Sequence, residues 1–320
     1  MSKKGILLLQ ETTQEQLDML AVIAPDFELI KGWTSEENDF PLENIEILYG
    51  WNKKKSPSLL EIPNSKLRWI QVQSAGVDYM NFDLLKKKNI LLTNGSGIHA
   101  IPISESVFGM ILAYTRGIQR SVKNQSNKVW DRNHPIIELH SSTIMIVGTG
   151  QVGTQVGKIA KSFGMKTIGV NRSGRNAENM DITITQQNIG THLPEADIVV
   201  NILPLTNLTH HFFNKEIFSQ MKEDSIFINV GRGPSVNTED LIDAAKSGKL
   251  AFVGLDVFEE EPLPVDSPLW SMDNVLITPH ISGFARHFKK RLFDIFSTNL
   301  KAYVKGEDLP RNKIDYGRNY

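Results

Sequence analysis

The sequence predicts an α/β protein built from two doubly wound parallel-sheet domains, and three observations carry the prediction. A chain of 320 residues is too long for one ordinary core and suits two domains of ~100 to 200 residues each. Short apolar or alternating segments recur between helical patterns in two separate series, the rhythm of βαβ units. One helical stretch lies between the series.

The first series comprises Ile6 to Leu9, Ile45 to Tyr49, Leu67 to Val72 and Ile90 to Leu92. Its opening run, Gly5 to Leu9, stops at Gln10; it is shorter than a secretory core and far below the ~20 residues of a membrane span, so it reads as a buried first strand. The stretch Ser104 to Ile118 places Val107, Met110, Ile111, Tyr114 and Ile118 at helical spacing and runs into a polar, tryptophan-bearing segment ending at His134 and Pro135. It is expected to join the two domains. The second series is more regular: Thr143 to Val147, Lys166 to Val170, Ile198 to Ile202, Ser225 to Asn229, Ala251 to Leu255 and Asn274 to Ile277. A last helical pattern, Phe284 to Val304, follows and can return to the first domain. The expected domains are therefore 1–98 with 284–320, and 99–283.

Charge and composition exclude several classes. Lys plus Arg is 35 against 36 for Asp plus Glu, so the chain offers nucleic acid no basic stripe. The runs Lys53 to Lys55 and Lys86 to Lys88 read as solvated faces. The chain has no cysteine, which removes disulfides and thiolate zinc sites and suits a reducing compartment, so a cytoplasmic protein without a metal or membrane partner is expected.

The strand Thr143 to Val147 leads into Gly148-Thr149-Gly150-Gln151-Val152-Gly153, followed by helical periodicity from Thr154 to Phe163. A GxGxxG turn between strand and helix binds a dinucleotide: the glycines permit the tight turn and the close approach of pyrophosphate, and the helix N-terminus supplies unpaired N–H groups. The next strand ends at Val170-Asn171-Arg172-Ser173, where an NAD site normally carries an acid for the ribose 2′-OH. With Asn171 there, Arg172, Ser173 and Arg175 can take a 2′-phosphate. NADP is the expected cofactor, with NAD the alternative if Arg172 points to solvent. Replacing Asn171 by Asp is expected to shift preference toward NADH.

Taken singly, His280 after a proline, Arg232 between glycines and the acidic run Glu259-Glu260-Glu261 are ordinary structural features. Together with other ordered motifs they resemble the D-isomer-specific 2-hydroxyacid dehydrogenases, a family that includes glyoxylate and hydroxypyruvate reductases, D-lactate dehydrogenases and phosphoglycerate dehydrogenase. The resemblance runs through Ser74-Ala75-Gly76-Val77-Asp78, the glycine turn, Leu203-Pro204-Leu205-Thr206, Asn229-Val230-Gly231-Arg232-Gly233, Gly254-Leu255-Asp256-Val257-Phe258, Glu261-Pro262, Thr278-Pro279-His280, Asn299-Leu300 and the terminal Asn312 to Tyr320.

The resemblance implies a flavodoxin-like substrate domain and a Rossmann dinucleotide-binding domain, with Arg232, Glu261 and His280 catalytic. The chemistry asks for these residue types. Histidine can protonate a carbonyl oxygen near neutral pH, a carboxylate on its second nitrogen fixes the ring, and a planar guanidinium binds a substrate carboxylate in a way lysine does not match. The spacing to Pro262 selects Glu261 from the acidic run. The resemblance also assigns Ala75, Gly76 and Val77 to a substrate loop of backbone N–H groups, with Arg232 and His280. It puts Pro204, Thr209, Val230 and Gly231 near the dinucleotide and Asp256 at the nicotinamide carboxamide; the bare sequence allows Asp256 as a helix cap. Trp51 and Tyr79 read as packing residues more readily than as pocket walls.

The chain departs from the family pattern at Asn171, and at Ser104 where alanine is common. The resemblance implies hydride transfer from NAD(P)H to a small 2-keto acid of the glyoxylate or hydroxypyruvate type, in a cleft between the domains of a homodimer. A cofactor-sensing, corepressor-like binding protein is the competing reading; a formate dehydrogenase would pair its histidine with glutamine instead of Glu261.

Overall fold

The computed structural model describes residues 3–32, 41–77, 79–133 and 136–316. Of the positions singled out above, Asp78, His134, Pro135 and the terminal residues 317–320 lie outside the described residues. Contacts divide the chain into two compact units, Met1–Ile98 with Ala285–Tyr320, and His99–Phe284.

In the first unit, strands β1 (Lys4–Leu8), β2 (Phe27–Lys31), β3 (Ile45–Tyr49), β4 (Trp69–Gln71) and β5 (Leu91–Thr93) pair in the order β2-β1-β3-β4-β5, all parallel. That is the flavodoxin-like order. The central β3 is buried along its whole length, which is why it reads as a near-continuous apolar run. Its one charge, Glu46, is met by Lys4 at 3.0 Å and by the Tyr303 hydroxyl at 2.8 Å. Helices α1 (Gln14–Ile23) and α2 (Phe82–Lys87) start at side-chain caps, a Thr13/Gln16 capping box and Asn81. The C-terminal helix α9 (Phe288–Tyr303) shares a core with β1, β3, β4 and α1, and Phe296 stacks on Tyr49 at 4.3 Å. The strand β2 is missing from the sequence reading. It is an edge strand with only Ile30 fully buried, so its apolar signal is weak.

The second unit opens with α3 (Ala100–Thr115), which is ended by Gly117 at φ +66°; α4 (Ile118–Ser126) then starts in a new direction. The expected single joining helix is thus two helices, and both belong to this unit. The sheet contains β6 (Thr143–Val147), β7 (Lys166–Asn171), β8 (Ile182–Thr185), β9 (Ile198–Asn201), β10 (Ser225–Asn229), β11 (Leu250–Leu255) and β12 (Val275–Ile277) in the parallel order β12-β11-β10-β9-β6-β7-β8. This is the Rossmann order with one strand added. β8, also absent from the sequence reading, is the exposed edge. Interleaved helices are α5 (Gln151–Ser162), α6 (Ile189–His192), α7 (Lys215–Gln220) and α8 (Thr238–Lys246).

Two cores flank this sheet. On one side Val107, Phe108, Met110 and Ile111 of α3 pack with Val156 and Ala160 of α5 against Ile144, Ile228 and Phe252. On the other, Phe213, Phe218 and Leu241 cover Met145, Phe227 and Val253. The chain switches direction between β6 and β9, and at such a point the loops leaving the strand C-termini form a crevice for ligand. Among the described residues no helix is long and apolar enough to cross a membrane, and no His/Cys/Asp/Glu group is arranged to hold a metal.

Candidate active site

The glycine turn follows β6 directly. Gly148 has φ +110°, and a Cβ there would sit 2.9 Å from the Ile202 carbonyl oxygen; a Cβ on Gly153 would lie 2.1 Å from the Gly148 oxygen. Both positions demand glycine. Gly150 differs: it caps α5, is exposed, and a Cβ on it would meet nothing within 4 Å. Open space above a helix N-terminus with unpaired N–H groups, framed by exposed Gln151 and half-buried Val152, fits a pyrophosphate.

Asn171, at the end of β7, is committed to its own loop. Its Nδ2 donates to Thr149 Oγ1 at 3.0 Å and to the Arg175 carbonyl at 2.9 Å, while its Oδ1 accepts from the Ser173 N–H at 3.1 Å. The Asn171 side chain therefore ties the strand end to the glycine turn, and Arg172, Ser173 and Arg175 beside it are all exposed.

At the neighbouring strand ends a buried amide pair organises two loops. Asn201 accepts from the Leu203 N–H and donates to Asn229 at 3.0 Å and to Ser235 Oγ at 2.7 Å; Asn229 accepts from the Gly231 N–H at 3.2 Å. Ser235 in turn donates to the Arg232 carbonyl at 2.6 Å. This fixes the backbone of Leu203-Pro204 and of Val230-Gly231-Arg232 relative to each other. Thr209 is buried and braces its own turn, donating to the Pro204 carbonyl at 2.6 Å and accepting from the Thr206 N–H at 2.8 Å. Pro204 is exposed and Val230 buried. Arg232 is exposed, with one guanidinium nitrogen donating to the Gly231 carbonyl at 2.7 Å.

His280 Nδ1 donates to Glu261 Oε2 at 2.7 Å, and the other oxygen, Oε1, accepts from the Phe258 N–H at 3.0 Å. Burial pushes the Glu261 carboxyl upward, yet hydrogen bonds from His280 and Phe258 and the charges of His280 and Arg232 outweigh it and hold the group below its ordinary value. The His280 ring remains about half exposed, so its second nitrogen can reach a ligand.

Backbone geometry at His280 is unusual: φ is +53°, in the left-handed region that a non-glycine residue adopts at a cost. What holds it there is Asp256. That carboxylate is fully buried and accepts from Thr278 Oγ1 at 2.5 Å, the Ile281 N–H at 2.9 Å, the Ser282 N–H at 3.1 Å and the Ser282 hydroxyl. No helix starts at Asp256, so the cap alternative falls. Expected at the carboxamide, this side chain already spends both oxygens on the segment that carries His280.

The first unit holds Ala75, Gly76 and Val77. The loop is pinned from several sides: Gly95 N–H donates to the Ser74 carbonyl at 2.8 Å, Asn94 Nδ2 to the Ala75 carbonyl at 2.6 Å, and Ser74 Oγ to the Gly76 carbonyl at 2.8 Å. Among the described residues, the N–H groups of Ala75, Gly76 and Val77 have no acceptor. Trp51 is buried in the core, its backbone paired by the Gln73 amide, and Tyr79 bonds Ser74 Oγ at 2.7 Å. Both aromatics serve packing and loop support.

Residues 108–282 match the D-isomer specific 2-hydroxyacid dehydrogenase, NAD binding domain, more than half the chain. The chain belongs to the D-isomer specific 2-hydroxyacid dehydrogenases. It is 34% identical over 278 residues to a glyoxylate/hydroxypyruvate reductase B of Escherichia fergusonii, covering 85% of this chain and 86% of the relative. A D-isomer specific 2-hydroxyacid dehydrogenase family protein of Aeromonas salmonicida superposes with a TM-score of 0.79 at 35% identity, covering 98% of this chain and all of that one. An NADPH-dependent glyoxylate/hydroxypyruvate reductase of Sinorhizobium meliloti, solved with NADP and sulfate, gives 0.76 at 27% identity over 99% of this chain and all of that one.

In this dehydrogenase, sequence reasoning did not find the supports of the site: Asn201, Asn229 and Ser235 beneath Arg232, Thr278 and Ser282 around Asp256, and the Phe258 N–H behind Glu261. The two asparagines had a readable signal, since each is the polar last residue after an apolar run of three. The others depend on tertiary placement.

Proposed function

We propose that the protein reduces a small 2-keto acid, of the glyoxylate or hydroxypyruvate type, to the D-2-hydroxy acid with NADPH. The observation that carries this reading is the 2.7 Å His280–Glu261 pair, with Arg232 near enough for its charge to act on Glu261. When bound along Gly148, Gly150, Gln151, Val152 and Gly153, the dinucleotide supplies the hydride. Pro204, Thr209, Val230 and Gly231 would lie near it. His280 donates a proton to the carbonyl oxygen as charge develops there, and Glu261 keeps the ring oriented and supports its cationic form. Arg232 binds the substrate carboxylate through charge-assisted hydrogen bonds, and the backbone N–H groups of Ala75 to Val77, which have no acceptor among the described residues, form a nest suited to a carboxylate. Asp256 we assign to holding the His280 segment.

The preference for NADPH rests on Arg172, Ser173 and Arg175, in a loop that Asn171 braces without an acid; the Sinorhizobium relative, with NADP, lends support. Because Asn171 donates to a carbonyl, an aspartate there would disturb the loop itself. The cleaner test replaces Arg172 and Arg175 by alanine and follows NADPH and NADH oxidation against glyoxylate, hydroxypyruvate, pyruvate, phenylpyruvate and 2-ketoisocaproate. Turnover of one acid, faster with NADPH in wild type and losing that preference in the variant, is the expected result. An unchanged cofactor ratio would remove the 2′-phosphate assignment, and no turnover of any acid would favour a sensing role.

We also infer a cytoplasmic homodimer. Exposed Ile118, Val122, Val129, Trp130, Ile136 and Ile137 follow one another in a single segment, and such an apolar concentration marks an interface.

A further inference from the structure

The acidic run contributes a second histidine–glutamate pair that the reaction above does not use. His211 Nε2 donates to Glu259 Oε1 at 2.6 Å, and the other oxygen of Glu259 accepts from the Thr238 N–H at 2.7 Å. Both side chains are about one-third exposed. The contact closes a triangle of three segments. His211 N–H donates to the Pro234 carbonyl at 2.9 Å, Phe213 N–H to the Ser235 carbonyl at 3.0 Å and Asn237 N–H to the Phe213 carbonyl at 2.9 Å, so residues 211–213 are already laced to 234–237. The loop carrying Glu261 is packed on the same place, since a Cβ on Gly233 would lie 1.7 Å from the Phe258 carbonyl oxygen. Glu259 is the side chain that fastens this loop to the other two segments.

The connection to the reacting pair is short. Glu259 adjoins Phe258, whose N–H holds Glu261 Oε1, and Glu261 Oε2 holds His280. We propose that Glu259, clasped by His211 and the first N–H of α8, is a positioning residue that sets the Phe258–Glu261 contact and through it the orientation of His280. Burial works upward on the Glu259 carboxyl, and the bonds from Thr238 and His211 overcome it, so the clasp is made by a carboxylate. The same clasp joins the segment bearing Pro204 and Thr209 to the Glu261 loop. It rests on the reading of His280 and Glu261 as the proton-donating pair.

The test is a double-mutant cycle of Glu259→Ala and Glu261→Ala, with cofactor binding and Tm measured on each protein. Glu259→Ala should lower kcat on the order of 10-fold, the scale of a small misplacement of reacting groups, with cofactor affinity unchanged. In the Glu261→Ala background it should lower kcat no further, within about twofold, because its effect passes through Glu261. Glu259→Gln, which keeps an acceptor for Thr238 and can donate to the other His211 tautomer, should restore most of the rate. A second readout needs no turnover: the rate at which diethyl pyrocarbonate modifies His280, followed by peptide mass, should rise several-fold in each single variant and no further in the double.

Losses that add in the cycle, or a kcat fall explained entirely by lower Tm and unrescued by Gln, would overturn the proposal. So would a His211→Gln enzyme as inactive as one lacking His280, which would make His211 the reacting group. His211→Gln also carries the test if Glu259→Ala fails to fold. A wild type that reduces no keto acid counts against the activity, while the modification rates still decide the clasp.

Discussion

A histidine that protonates a carbonyl oxygen must present one ring nitrogen while the other is held, and Glu261 provides that hold for His280. Its folded-state carboxyl lies below the ordinary value of 4.5, because hydrogen bonds and nearby charges outweigh burial. A carboxylate depressed on folding contributes stability that is present above its ordinary value and is lost as pH falls through the folded value. Tm measured against pH should therefore separate wild type from Glu261→Gln near neutrality and bring the two curves together in acid; curves that stay parallel into acid contradict the pairing. At this scale residue types were legible and their supports were not. The spacing to Pro262 selects Glu261, but the left-handed backbone of His280 and the donors converging on Asp256 arise from segments distant in sequence. Asn171 shows the same limit: its identity was visible, whereas its bonds to Thr149 and Arg175 were not.

Elements were read to the extent that they bury apolar surface. β3 and β10 are buried along their length and stood out as apolar runs; β2 and β8, on sheet edges and mostly half-exposed, lacked the pattern. The α3–α4 break turns on a single left-handed Gly117, which periodicity counts do not weigh. The glycine turn was legible because strand, spacing and helix agree, and its geometry gives a prediction. Gly153→Ala must place a methyl 2.1 Å from the Gly148 carbonyl oxygen, so the turn has to open. Overpacking of this kind costs about 1–3 kcal/mol. A lower Tm with cofactor binding lost is expected, measured by thermal melting and nicotinamide fluorescence; normal binding would show that the turn yields without moving the pyrophosphate site.

For the molecule as a whole, the parallel α/β class follows from the βαβ rhythm, whereas the flavodoxin-like and Rossmann strand orders were implied by the family resemblance. Assembly has no comparable signature in one sequence. The apolar segment around Trp130, which is 91% exposed, predicts a dimer whose stability depends on it. Sedimentation equilibrium should show a dimer for wild type and a monomer for Trp130→Asp paired with Val129→Asp; a wild-type monomer at micromolar concentration removes the inference.

In the proposed reaction His280 delivers the proton in keto-acid reduction, and the cofactor site is independent of it. The most direct measurement compares His280→Gln with wild type for cofactor binding and for turnover of the preferred acid in the same samples. Unchanged cofactor affinity with kcat lower by about 10²- to 10⁴-fold, the worth of a general acid, is expected. Turnover that survives the substitution, or that disappears only because cofactor no longer binds, would contradict it.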